Sequence, residues 1–172
     1  MEIVNIVATI KTSPSYNLQD IRNVIPDTYY PSYKAVWLNM RLQPEGYYVA
    51  FYKSGKFLVT GVKSVDTIND ISTRVIKILK QTKIKIENIK ITIHNIVYTD
   101  NLNTNVNLEN LVHNLDSNKA SYEPEQFPSL IYKDSGATLL VFSNGKVIIT
   151  GSTEENEAIR VFENFKKIIH IS

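Results

Sequence analysis

Stretches of β-branched and alternating apolar residues, punctuated by short turn signals, run along this chain and twice give way to helical spacing. Residues 3–11 are rich in Ile, Val and Thr and predict a strand. In residues 17–25, Leu18, Ile21, Val24 and Ile25 recur at helical spacing, and Pro26 ends the run. Strands follow at 35–42, 47–52 and 56–61, joined by Pro44-Glu45-Gly46 and Ser54-Gly55, both of which are hairpin chemistry. Ser64 is placed to cap a helix over 65–80 whose inner face carries Val65, Ile68, Ile71, Val75, Ile76 and Leu79.

The same order then recurs. Ile3-Val4-Asn5-Ile6-Val7-Ala8-Thr9 reappears as Ile93-His94-Asn95-Ile96-Val97-Tyr98-Thr99. Ser54-Gly55-Lys56-Phe57-Leu58-Val59-Thr60-Gly61 reappears as Asn144-Gly145-Lys146-Val147-Ile148-Ile149-Thr150-Gly151, and both pairs share an offset of 90. Two matches at one offset mark a duplicated unit. Between them Pro31 matches Pro124 and Arg41 matches Lys133, which puts one extra residue between Pro31 and Arg41. The expected repeats are 1–86 and 87–172, one pseudo-symmetric domain whose second copy ends in a helix over 154–168. The linker 81–87 is short enough for the two sheets to join. The fold class is therefore α+β, a curved antiparallel sheet with helices on one side only.

Such a sheet leaves its other face to solvent, and that face should be polar unless it binds something. Residues 139–142 and 147–150 are instead apolar on both sides of the pleat, apart from Thr150. An open apolar face of this kind implies a partner.

Composition narrows the partner. At 43% hydrophobic and 21% charged residues the chain is globular rather than disordered. It contains no cysteine, which removes disulfides, thiolate nucleophiles and zinc knuckles. No run predicts a signal peptide or a membrane span. The net charge of +2 hides an asymmetry: residues 1–86 carry 12 Lys/Arg against 6 Asp/Glu, residues 87–172 carry 7 against 11. Two partners of different charge, one anionic, fit that split. With three histidines and no carboxylate pair beside a nucleophile or metal set, an enzyme is not expected. His94, next to Asn95 on the other strand face, reads as a packing residue.

The segment Tyr122-Glu123-Pro124-Glu125-Gln126-Phe127-Pro128-Ser129-Leu130-Ile131-Tyr132 is followed by Leu140-Val141-Phe142-Ser143-Asn144-Gly145-Lys146 and Thr150-Gly151. Together they resemble the second repeat of TATA-binding proteins, and Glu-Pro-Glu-Gln-Phe is similar to the archaeal branch. The resemblance covers the whole chain through the duplication and is sharpest after residue 90. It implies a two-repeat saddle with helices on its convex face, gripping double-stranded, A/T-rich promoter DNA through the minor groove. It also implies a general transcription initiation role without a cofactor, in the archaeal cytoplasm at the nucleoid or in a eukaryotic nucleus. This family is the type example of minor-groove kinking, in which apolar side chains enter between base steps and the duplex kinks by about 80°.

On that resemblance Asn5 and Asn95 are the asparagines that hydrogen-bond base acceptors, with Val7 and Val97 on the groove floor beside them. Leu58, Thr60, Ile148 and Thr150 line the strands after each Gly-Lys turn. Phe127 and Phe142 are the intercalating pair of the second repeat, flanked by Pro128 and Leu140, and Tyr52 takes one such position in the first. Arg41, Lys56, Lys63, Lys133 and Lys146 match phosphate contacts. Glu123 and Glu125 match the landing site of transcription factor B, which brings RNA polymerase indirectly. A second copy of the chain is a candidate partner for the free concave face. Independently of the family, asparagine is disfavoured inside strands, and two copies at one offset favour a function.

The first repeat departs from the pattern. Its Tyr29-Tyr30-Pro31-Ser32-Tyr33-Lys34 places the wedge phenylalanine on Lys34, or on Tyr33 if the extra residue slides. A lysine cannot wedge between bases, whereas a tyrosine can stack on one. Thr153 stands where a phosphate-binding lysine is expected, and the loop 134–138 is two residues short, which predicts a tighter hairpin with its alternation kept. Two further readings stay open: a divergent paralogue without TATA preference, and a regulatory interaction module that no longer bends DNA.

Overall fold

The computed structural model describes residues 1–170, so the last two residues of the second expected repeat lie outside it. The chain forms two compact units, residues 5–94 and residues 1–4 together with 95 onward. The elements of the first repeat are β1 (Glu2–Lys11), α1 (Leu18–Val24), β2 (Trp37–Leu42), β3 (Tyr47–Tyr52), β4 (Lys56–Val62) and α2 (Val65–Leu79). Those of the second are β5 (Lys90–Asn101), α3 (Leu108–His113), β6 (Ala120–Ser121), β7 (Ser129–Asp134), β8 (Ala137–Phe142), β9 (Lys146–Ser152) and α4 (Glu155–Ile168). Pairing is antiparallel, in the order β2-β3-β4-β1 in the first and β6-β7-β8-β9-β5 in the second.

Alternation along each strand builds one core per unit. Ile6, Ala8, Ile10, Val49, Phe51, Phe57 and Val59 are fully or almost fully buried, as are Ile21 of α1 and Ile68, Ile71, Val75 and Leu79 of α2. In the second unit Leu130, Leu139, Val141, Val147 and Ile149 are buried, with Ala158, Val161, Phe162 and Phe165 of α4. The Phe165 ring lies 5.0 Å from that of Tyr132. Caps are duplicated with the strands: Asn17 Oδ1 accepts from the Gln19 amide at 3.0 Å, and Asn107 Oδ1 from the Asn110 amide at 2.9 Å. Ser64 caps α2 as its sequence position predicts, at 3.2 Å from the Thr67 amide.

The register corrects one expectation. Tyr29 bridges Asn39, and Ser121 pairs with Ile131. Trp37 pairs with Tyr52 and Arg41 with Tyr48, while Ser129 pairs with Phe142 and Lys133 with Thr138. From Tyr29 to Leu42 the two units therefore correspond at one constant offset, and no residue is inserted between Pro31 and Arg41. The position equivalent to Phe127 is Ala35, and that of Pro128 is Val36; neither Lys34 nor Tyr33 takes the wedge position. Matching the prolines had shifted that loop by one residue. The length change lies in the hairpin instead. Leu42 pairs with Tyr47 across four residues, and Asp134 with Ala137 across two, Ser135 and Gly136, whose φ values of 48° and 86° suit a type I′ turn. The tighter hairpin expected from the short loop is found, without a register slip. β2 begins at Trp37 rather than at residue 35.

Candidate nucleic-acid interface

In both units the strand β1 or β5 meets its neighbour through a bulge. Ile6 faces Val62 but Ala8 faces Val59, and Ile96 faces Ser152 but Tyr98 faces Ile149, so β4 and β9 each carry one extra residue. It falls at Thr60-Gly61 and Thr150-Gly151, where the glycines adopt φ of 85° and 93°. Those values are open to glycine and costly for other residues. The freed amide is caught by an asparagine: Asn5 Oδ1 accepts from the Gly61 N–H at 2.8 Å and the Thr60 hydroxyl at 3.1 Å. Asn95 Oδ1 accepts from the Gly151 N–H at 2.9 Å and the Thr150 hydroxyl at 3.2 Å.

A backbone N–H only donates, so the atom facing it must be the amide oxygen. That fixes the orientation of both side chains, with Oδ1 on the glycine amide and Nδ2 as the remaining donor; Asn95 Nδ2 donates to Thr150 Oγ1 at 3.0 Å. The asparagines therefore have a structural task in the strand, which is reason enough for the residue type. The same task leaves an amide donor on each side chain in addition to the oxygen that the bulge uses.

Around these amides each sheet has a face without helices. In the second unit Val97, Leu140, Phe142 and Ile148 lie there half-buried, Leu140 opposite Ile148. Phe127, 44% exposed, places its ring 6.4 Å from that of Phe142 at 62°. Pro128 is exposed beside it. Phe127 is held by the turn before β7, where the Glu123 carbonyl accepts the N–H groups of Gln126 at 2.9 Å and Phe127 at 3.0 Å. The Gln126 side chain bonds the Glu123 carboxylate, and Glu123 and Glu125 are both exposed.

The first unit offers a different surface. Val7, Leu58 and Thr60 are half-buried like their counterparts, but Ala50 replaces Leu140 and is only 1% exposed. Trp37 stacks on Tyr52, ring centres 6.4 Å apart at 28°. Tyr48 donates its hydroxyl to Asn39 Oδ1 at 2.7 Å, and Arg41 lies 5.1 Å above the Tyr48 ring. Lys56 sits 5.9 Å from the Tyr52 ring. Burial, and then the neighbouring Tyr48, push the Tyr52 hydroxyl above its ordinary pKa, so it stays a neutral group. Arg41 and Lys63 are exposed in this unit, and Lys133 and Lys146 in the other. Trp37, Tyr48 and Asn39 were not singled out in the sequence; only the pairing of β2 with β3 brings them beside Tyr52.

Elsewhere two readings change. Tyr33 is 91% exposed and carries Lys34 5.3 Å over its ring, remote from a wedge position. His94 is exposed and its Nε2 lies 2.8 Å from Thr9 Oγ1, so it is a surface hydrogen-bonding residue rather than a packed one. Among the described residues no group of three His, Asp or Glu is placed to hold a metal, and no helix is long and apolar enough to cross a membrane.

Comparison with known proteins follows the duplication. The family model of "Transcription factor TFIID (or TATA-binding protein, TBP)" matches twice, at residues 1–82 and 90–171. The TATA-box-binding protein of Sulfurisphaera tokodaii is 37% identical over 175 residues, covering 99% of this chain and 87% of the relative. That of Sulfolobus acidocaldarius is 36% identical and covers 99% and 88%. The solved structure of Methanococcus jannaschii TBP superposes with a TM-score of 0.87 at 31% identity, over 98% of this chain and 97% of the other, and so carries the fold class expected from the sequence.

Proposed function

The chain belongs to the TATA-binding protein family of DNA-binding transcription initiation factors, and on that premise we propose that it binds A/T-rich promoter DNA through the minor groove and kinks it. The observation that supports this best is the pair of bulge-anchored asparagines. A·T pairs present only acceptors in the minor groove, adenine N3 and thymine O2, whereas a G·C pair adds a donor. Two amide nitrogens whose orientation the bulge fixes are suited to acceptors and offer nothing to a second donor. The half-buried apolar side chains beside them, Val7, Leu58, Val97 and Ile148, suit a groove floor that carries little polar information. Arg41, Lys56, Lys63, Lys133 and Lys146 supply the phosphate contacts.

Phe127 and Phe142 of the second unit are the wedge of this reading. An exposed ring seated on a second ring is a stiff apolar edge of the kind that enters a base step, where unstacking costs a few kcal/mol. Glu123 and Glu125, on the turn that carries Phe127, are the docking residues for transcription factor B, through which polymerase is recruited. The charge of residues 87–172 favours a basic partner there.

Fluorescence energy transfer across an end-labelled TATA duplex tests the proposal beside a G·C-substituted control. Transfer should rise on the TATA duplex alone, and Phe127→Ala should weaken binding by about tenfold or more and remove much of the rise. Equal binding to both duplexes, or binding without added transfer, would refute minor-groove kinking.

A further inference from the structure

The first unit has lost the phenylalanine wedge and carries in its place a ring stack that its counterpart lacks. The register is unambiguous: Trp37 pairs with Tyr52, Ser129 with Phe142, and Ala35 stands where Phe127 stands. An alanine at that position has no ring to insert. Two residues on, the second unit has a serine that is 1% exposed beside Phe142, and the first unit has the only tryptophan of the chain. Its indole is partly exposed on the helix-free face and lies over Tyr52 at 28° between ring planes.

We propose that Trp37, backed by Tyr52, is the DNA-stacking residue of the first unit and takes over there the task of Phe127 and Phe142. The proposal rests on the minor-groove reading above. Indole presents a larger face than phenyl and carries a donor at Nε1, and aromatic faces accept any base. Its surroundings favour a polyanion. Lys56 lies within 5.9 Å of the Tyr52 ring, Arg41 lies over Tyr48, and the first unit belongs to the cationic part of the chain. The near-parallel stack also differs in kind from the edge-on pair of the second unit. Rings that lie almost parallel present a flat face, suited to stack against an exposed base, where an edge-on pair presents a narrow wedge. The two units would then deform DNA unequally, giving the duplicated chain a preferred orientation on its site.

The single tryptophan makes the test direct, because emission from the unmodified full chain reports on Trp37 alone. Titration with the TATA duplex should quench that emission strongly, with the same midpoint as the energy-transfer rise. Trp37→Ala and Trp37→Ser, the residue of the second unit, should each weaken TATA binding by about tenfold, while Trp37→Phe should stay within about threefold of the parent. Circular dichroism checks that the variants fold, and unchanged emission of the parent chain on binding overturns the role whether or not they do. A duplex that is bound and bent while Trp37 emission stays unchanged overturns this role and leaves the minor-groove reading standing. Quenching with unchanged affinity in Trp37→Ala also overturns it, since the ring would touch DNA without contributing. No binding to either duplex overturns both.

Discussion

The two units are built on one backbone and show different faces. Their bulges, and the contacts at the start of each first helix, correspond: the Tyr16 amide bonds the Lys53 carbonyl at 2.9 Å, the Val106 amide bonds that of Ser143 at 2.8 Å, and an asparagine caps the next helix in each. On the helix-free side the second unit is aliphatic with a phenylalanine pair, while the first is aromatic and polar, with Trp37, Tyr48, Tyr52 and Asn39. What is kept is what the backbone requires, namely an acceptor for the bulge amide and glycine at positive φ. What has diverged is the outer face of β2–β3 against β7–β8, where Trp37, Ala50 and Tyr52 correspond to Ser129, Leu140 and Phe142.

The asparagines serve the bulge and, in the proposed reading, the DNA as well, and a substitution can separate the two tasks. In Asn5→Asp or Asn95→Asp the carboxylate still accepts from the bulge glycine and threonine, so unfolding in urea should shift by less than about 1 kcal/mol. The donor is lost and a negative charge faces the phosphates, so TATA binding should fall by about a hundredfold or more at either position. Asn→Ala at the same positions orphans the amide and should cost about 1–2 kcal/mol of stability as well. Aspartate variants that bind like the parent would leave the asparagines as bulge caps only, in both units. Loss at one position alone would show that the units have diverged even here.

Much of the fold is legible in the sequence alone. Strand period, helix spacing and the repeated Asn-Ile-Val and Gly-Lys segments identify the duplicated α+β sheet, because two-residue and 3.6-residue periods survive substitution. The hairpin at Ser135-Gly136 follows from loop length alone. The loop before β2 misled, since Pro31 and Pro124 invite alignment, whereas the chain is registered by the bridges Tyr29–Asn39 and Ser121–Ile131. Trp37 was missed for the same reason: its equivalence to Ser129, and its neighbour Tyr52, exist only across strands. The partnership of Asn5 with Gly61 lies 56 residues apart in sequence, and nothing local announces it.

The bulge glycines extend the comparison to stability. Both need positive φ, which costs alanine about 1 kcal/mol. A Cβ on Gly61 would meet nothing within 4 Å, but one on Gly151 would stand 2.7 Å from the Gly136 carbonyl oxygen, brought close by the shorter hairpin. Gly61→Ala should therefore destabilise by about 1 kcal/mol and Gly151→Ala by about 3 kcal/mol in urea unfolding, the difference being backbone overlap that no rotamer relieves. Equal losses would mean that the β7–β8 turn yields, and that its tightness carries no constraint.

The last comparison concerns Tyr16, whose counterpart in the second unit is Val106. Tyr16 is buried, bonded through its hydroxyl to Thr12, and burial pushes its pKa from 10.0 to about 12, with the Thr12 bond acting the other way. Below pH 10 the phenol is neutral in the folded and unfolded chain alike, and its full contribution is present. Between pH 10 and 12 the unfolded chain ionises while the folded one holds its proton, so stability falls as pH rises through that window. A shift of that size puts the loss at about 2–3 kcal/mol. Tyr98 and Tyr132 in the second unit, and Tyr52 in the first, shift upward for the same first reason, burial, so the parent chain reports a sum. Tyr16→Phe isolates the term: about 1 kcal/mol less stable at pH 8, where Thr12 loses its partner, but with a visibly shallower decline from pH 10 to 12. A parallel decline in parent and variant would mean that the Tyr16 site admits water before the unit unfolds, and that the alkaline loss comes from the other buried tyrosines.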